Sequence, residues 1–246
     1  KTPLAKRFTE EFNDKFHFAK SEQRGYTVIT KIKNRLGSSL NYESLREFPD
    51  IVKVELQFPL LPNQSYDITL AYDIVLPDDN FTGYGISPEQ NFNLKYWYIT
   101  PTVYTGEWNY YSNKNLDDLY VSKADLTIQI EFPLNYQLIT ELNTLDIKQY
   151  KDKQTFYLHG KNRVNTHLIL SKFTDFKFVQ TDNFTIYSDL SSKGIPAEEK
   201  AIITDKITRF ITENLGEYPH ERLVITKAGY KKDPLYGLNQ LPDFIR

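Results

Sequence analysis

Hydrophobic and polar positions alternate with period two along much of the chain. Val52, Val54, Leu56 and Phe58 alternate with Lys53, Glu55 and Gln57, and Leu126, Ile128, Ile130 and Phe132 alternate with Thr127, Gln129 and Glu131. Successive side chains of a strand point to opposite faces, so this pattern describes strands with one face on a core and one in water. Residues 26–33, 66–76, 136–142, 154–159, 166–172 and 183–187 read as further strands, separated by turn-forming runs such as Leu61-Pro-Asn-Gln, Leu76-Pro-Asp-Asp-Asn and His159-Gly-Lys-Asn. No helical pattern lies between them, which predicts consecutive antiparallel strands rather than βαβ crossovers. The expected fold is mainly β, with an antiparallel β-sandwich or saddle-like sheet layer.

Two segments depart from this pattern. Residues 91–120 carry both tryptophans, Trp97 and Trp108, among many tyrosines. They read as a long loop that either packs aromatics over a sheet edge or lines a cleft, because amphipathic rings suit recognition. After Ser188 the period changes. Pro196 suits a first helical turn, Glu198 and Glu199 suit the positive end of the helix dipole, and Ile203, Ile207, Phe210, Ile211 and Leu215 recur at three-to-four spacing before Gly216. A helix is expected here, followed by a short strand from Leu223. The switch from strands to helix-then-strand order marks a boundary near residue 190. Residues 1–190 are expected to form an N-terminal antiparallel β domain, and residues 191–246 the start of a truncated α+β domain, since about 55 residues with one helix do not readily close a core.

Composition narrows the functional classes. With 40% hydrophobic, 25% charged and 15% aromatic residues the chain matches folded globular proteins, not disordered ones. A net charge of -2 gives no basic footprint, and a nucleic-acid partner is not expected. No stretch approaches the roughly 20 apolar residues of a membrane-spanning helix. The chain begins at Lys1 rather than Met, consistent with a trimmed leader or lipid anchor; the compartment stays open, a periplasmic or membrane-associated parent included. The absence of cysteine excludes disulfides, thiol nucleophiles and thiolate metal sites within these residues.

Catalytic signatures are sparse. His17, His159, His167 and His220 form no H-E-x-x-H or other two-ligand helical spacing, so no catalytic residue and no metal ligand is assigned, and each histidine reads as structural or surface. No nucleophile elbow or glycine-rich phosphate loop occurs. The adjacent pairs Asp78-Asp79 and Asp117-Asp118 splay apart on an extended chain and read as turn or solvated residues. What stands out is the closing run DPLYGLNQLPDFIR, rich in turn formers and uncharged polar groups directly after a strand-like segment.

The order of segments resembles the N-terminal part of the aminopeptidase N family of zinc peptidases, the gluzincins. FPLLPNQSYDITLAYDIVLPDDNFTGYG looks like that family's paired strands, KADLTIQIEFPLNYQLITELNTL is similar to its KAxFxVxIxxPxxYxxxSN stretch, and THLILSKFTDFKFVQTDNFTIYSD to the strands that close its first domain. KITRFITENLGEYPHERLVIT is similar to the helix and Gly-x-Tyr-Pro turn that open the thermolysin-like catalytic domain, and YGLNQLPDF falls where members carry G-A-M-E-N. The resemblance covers most of the chain from about Val52.

This resemblance implies a peptide or protein substrate lying along an edge strand by β-augmentation, with Tyr236, Gly237, Leu238, Asn239 and Gln240 as the substrate-binding residues. Tyr236 stands at the motif's first Gly, Gly237 at Ala, Leu238 at Met, Asn239 at Glu and Gln240 at Asn. Asn239 is neutral and lacks the charge-assisted contact that a carboxylate makes with a peptide's free amine. A second amine anchor, which the resemblance places between Tyr98 and Glu107, has no counterpart in YITPTVYTGEW. Both departures point away from strict aminopeptidase specificity. The zinc ligands and general-base glutamate of the family would follow Arg246. No cofactor is therefore expected within these residues, zinc is expected in the parent protein, and the chain alone is expected to be inactive. The alternatives are a catalytically degenerate relative acting as a peptide- or protein-binding β module, and a free-standing β-sandwich.

Overall fold

The computed structural model describes residues 2–10, 12–112, 120–173, 176–181, 184–190 and 196–226. In chain order the elements begin with α1 (Pro3–Glu10), β1 (Tyr26–Asn34), β2 (Tyr42–Ser44), β3 (Val52–Val54), β4 (Ile68–Val75), β5 (Gly85–Ile86), β6 (Phe92–Leu94), β7 (Val103–Tyr104) and β8 (Trp108–Asn109). They continue with β9 (Ala124–Pro133), β10 (Gln137–Thr140), β11 (Asn143–Tyr150), β12 (Lys153–Arg163), β13 (Leu168–Ser171), β14 (Lys177–Gln180), β15 (Thr185–Ser188), α2 (Ala197–Leu215) and β16 (Arg222–Ile225). The fold is mainly β, with several antiparallel sheets and two helices among the described residues.

Two compact units divide the chain, Lys1–Phe81 with Trp97–Ser122, and Thr82–Tyr96 with Lys123–Arg246. In the first, β1 and β4 form a long antiparallel pair, with a register shift between Ile29 and Lys31 where the Thr30 hydroxyl donates to the Ala71 carbonyl at 2.9 Å. Beside it, β2 pairs with β3 and β7 with β8. Ile32, Leu40 and Phe81 are buried. Phe16 stacks on Phe81 at 5.3 Å and meets Phe8 edge-on at 4.7 Å, which ties the N-terminal segment to the unit. The alternation expected from Val52 to Phe58 produces a ladder only as far as Val54; Phe58, just before Pro59, is exposed. The aromatic segment expected as one loop contains three short strands, β6, β7 and β8.

The second unit is built as two facing sheets with a third beside them. One sheet has the order β10-β13-β6-β5 and another β11-β12-β9. Along β9, Leu126, Ile128, Ile130 and Phe132 turn inward while Thr127, Gln129 and Glu131 are exposed, as the alternation predicts. Phe132, Tyr136 and Leu170 form a buried cluster against Phe92, Ile130, Leu138 and Phe156. These side chains come from both sheets, so the layers share one core in the manner of a sandwich. Tyr136 is fixed there by its hydroxyl, which donates to the Gln90 carbonyl at 3.0 Å, and by its own carbonyl, which accepts from Gln154 Nε2 at 2.7 Å.

The third sheet has the order β14-β15-β16, and β15 and β16 run parallel. Parallel neighbours need a crossover connection, which α2 supplies. This helix begins after Pro196 and ends at Gly216, whose φ of 102 lies in the left-handed region that favours glycine.

Candidate functional site

The substrate-binding residues expected from the sequence, Tyr236, Gly237, Leu238, Asn239 and Gln240, lie outside the described residues, as does Asp117-Asp118. Among the described residues the chain leads toward them through β16, the last strand of the parallel pair. The histidines are dispersed. His17 meets the Phe18 ring edge-on at 5.0 Å, His159 sits within β12, and His167 and His220 belong to polar surroundings in the second unit. No group of three or more His, Asp or Glu side chains is placed to hold a metal ion among the described residues.

An open concavity with several charged and polar side chains does form in the second unit, in part from residues that the sequence reading passed over. A pocket of about 590 Å³ is lined by Lys123, Glu141, Arg163, Tyr218 and His220, with Asn162, Val164, Asn165 and Pro219 completing the wall. Arg163 reaches it because β12 is bulged. Gly160 pairs with Leu126 but Arg163 pairs with Ala124, so three steps on one strand face two on the other. Asn162 takes a φ of 53, and its backbone N–H donates to Asp125 Oδ1 at 2.9 Å. The extra residue re-aims Arg163 onto the buried face occupied by Leu158 and Gly160. A Cβ at Gly160 would come within 2.9 Å of Arg163 Nε and 2.5 Å of Leu142 Cδ2, so glycine leaves the space that the guanidinium fills.

Arg163 is only 7% exposed. Its Nη2 donates to the Glu141 carbonyl at 3.0 Å, while its Nε, sealed from solvent, has no hydrogen-bond partner among the described residues. Burial raises the pKa of Glu141, opposed by the charges of Arg163 and Lys95 and by the His167 backbone N–H, which donates to Glu141 Oε1 at 3.2 Å. Burial likewise lowers His220 and raises Tyr218; Arg163 and Lys123 push His220 further down. Next to this pocket, His167 is held near a pKa of about 4, first by burial and then by the positive charge of Lys95. Its Nε2 bonds Asn93 Oδ1; because Asn93 Nδ2 donates to the Gly83 carbonyl, the oxygen faces the ring and the neutral imidazole carries its proton on Nε2.

No single motif could have revealed this region. Its members come from the ends of β9, β10 and β12 and from the turn before β16, and Arg163 is brought in by a bulge that strict alternation does not anticipate.

No protein-family model matches the chain, and no curated protein matches it. Among solved structures, it is similar to a mutant M1 zinc metallopeptidase from Deinococcus radiodurans bound to a Tyr-Ser-Ala substrate, with a TM-score of 0.51 and 15% sequence identity over 81% of this chain and 46% of that one. The likeness is one of fold. A two-domain M1 zinc metallopeptidase mutant bound to L-tryptophan is similar at a TM-score of 0.50 and 15% identity, over the same shares of the two chains. The chain thus spans less than half the length of the solved structures it resembles.

Proposed function

We propose that this chain is the N-terminal region of a metallopeptidase-like protein that hydrolyses or binds peptides. The observation that carries the reading is the fold likeness across 81% of the chain to an M1 zinc metallopeptidase solved with a tripeptide substrate. In this reading the boundary near residue 190 separates a β domain from the start of a catalytic domain. The apolar positions Ile203, Ile207, Phe210 and Leu215, each at least 46% exposed on α2, are then a face for further parts of that domain. In the same reading Tyr236 to Gln240 are the residues that take the peptide backbone, by β-augmentation, which depends on geometry more than on particular side chains. The zinc chemistry belongs to the parent protein; the described residues supply the frame that positions the peptide strand.

A second reading, a degenerate peptide- or protein-binding relative, is favoured by Asn239, a neutral amide where the resemblance calls for a carboxylate. Peptide turnover by the full-length natural protein, with and without a metal chelator, separates the two. Chelator-sensitive cleavage supports the peptidase. Peptide binding without cleavage supports the degenerate reading, and neither binding nor cleavage overturns both.

A further inference from the structure

We infer that the pocket around Arg163 binds a small carboxylate. This inference is independent of the peptide-handling reading and starts from an unbalanced charge. A guanidinium is protonated at any working pH, and buried charges are normally paired. Arg163 is 7% exposed, yet its one hydrogen bond runs from Nη2 to a main-chain carbonyl, its Nε has no partner, and no carboxylate oxygen lies within 4.0 Å of it among the described residues. A buried cation that makes no direct ion pair is costly to hold, so a site built this way gains from an anion that completes it.

The pocket has the shape and charge for such a ligand. Lys123 and His220 line the same opening as Arg163, together with Asn162 and Asn165, and the volume of about 590 Å³ admits a small organic acid. Arg163 and Lys123 both oppose protonation of His220, which lines the same opening. Arg163 and Lys123 bring two positive charges to an opening they share with Glu141, so the cationic side chains there favour an anion. A planar carboxylate also matches the two-pronged geometry of arginine.

The test follows the His220 ring resonances of the 246-residue chain by NMR at pH 7 and constant ionic strength during titration with N-acetylglycine, N-acetylglycinamide, acetate and inorganic phosphate. Saturable shifts with N-acetylglycine and a raised His220 pKa, with none from the amide, are expected. Tighter binding of N-acetylglycine than of acetate assigns a peptide-like terminus as the source of the carboxylate, and equal binding assigns a free acid. Arg163→Lys keeps the charge but loses the fork and is expected to weaken binding about tenfold. Lys123 is exposed, so Lys123→Gln spares the fold and is expected to weaken binding about threefold. Identical responses to acid and amide, phosphate binding more tightly than N-acetylglycine, or unchanged affinity in Lys123→Gln would each overturn the assignment.

Discussion

Acidification from pH 7 to 4.5 is expected to cost the fold about 2 kcal/mol through His167. In the folded chain this ring is neutral, with a pKa of about 4 against the ordinary 6.5, because it is buried and faces the Lys95 ammonium. As pH falls below 6.5 the unfolded chain takes up the proton first, so stability declines from 6.5 down to about 4 and is level below that. At about 1.36 kcal/mol per pH unit the full window is worth about 3.4 kcal/mol and the part above pH 4.5 about 2.6; partial exposure of the ring reduces this to about 2. Glu141 works in the opposite direction. Its raised pKa means that the folded carboxyl holds its proton longer, adding stability at low pH that is lost as pH rises from 4.5 through the raised value. The two effects overlap, so the histidine is isolated by substitution. His167→Gln retains an N–H donor for Asn93 and removes the titration. Urea denaturation at pH 7, 6, 5 and 4.5 should show the wild type losing about 2 kcal/mol more than the variant between the extremes. Equal losses in the two proteins, or an NMR titration of His167 centred at 6.5, would refute the reasoning.

Gly160→Ala should destabilise the chain by about 1–3 kcal/mol, read by denaturant midpoint, because its Cβ collides with Leu142 and Arg163; a neutral effect would show that the bulge yields freely. Thr166→Val should be neutral or stabilise by up to about 1 kcal/mol in the same assay, since the buried Thr166 hydroxyl has no hydrogen-bond partner among the described residues and a methyl group carries no such cost. Phe132→Ala should cost about 3–5 kcal/mol, because the ring is 5% exposed, stacks on Phe156 at 5.3 Å and joins the two sheets.

The parts of the fold legible in the sequence are those where one periodicity runs unbroken. Leu126 to Phe132 alternates cleanly and becomes the inward face of β9; the spacing from Ile203 to Leu215 becomes α2. Strand β11 was hidden because Leu145 falls at a register shift between Thr144 and Asp146, and Leu145 and Ile147 are exposed, so its pattern does not separate a core side from a water side. Helix α1 is only eight residues long, about two turns, so its apolar positions Leu4, Ala5 and Phe8 do not repeat often enough to set a helical period apart. The pocket was illegible for a different reason. Arg163 directly follows the run His159-Gly-Lys-Asn, which reads as turn punctuation, and only the left-handed Asn162 and the paired register reveal that it points inward. The expected edge strand from Tyr236 to Gln240 rests on resemblance and falls outside the described residues.

Turnover of tripeptides with free and N-acetylated termini by the full-length natural protein, compared between the wild type and Asn239→Glu, tests the peptide-handling claim most directly. The account predicts little preference for free termini in the wild type and a shift of about tenfold toward them in the variant, the size of one charge-assisted contact. Wild-type protein that neither binds nor cleaves either peptide, or a free-to-blocked ratio that Asn239→Glu leaves unchanged, would contradict it.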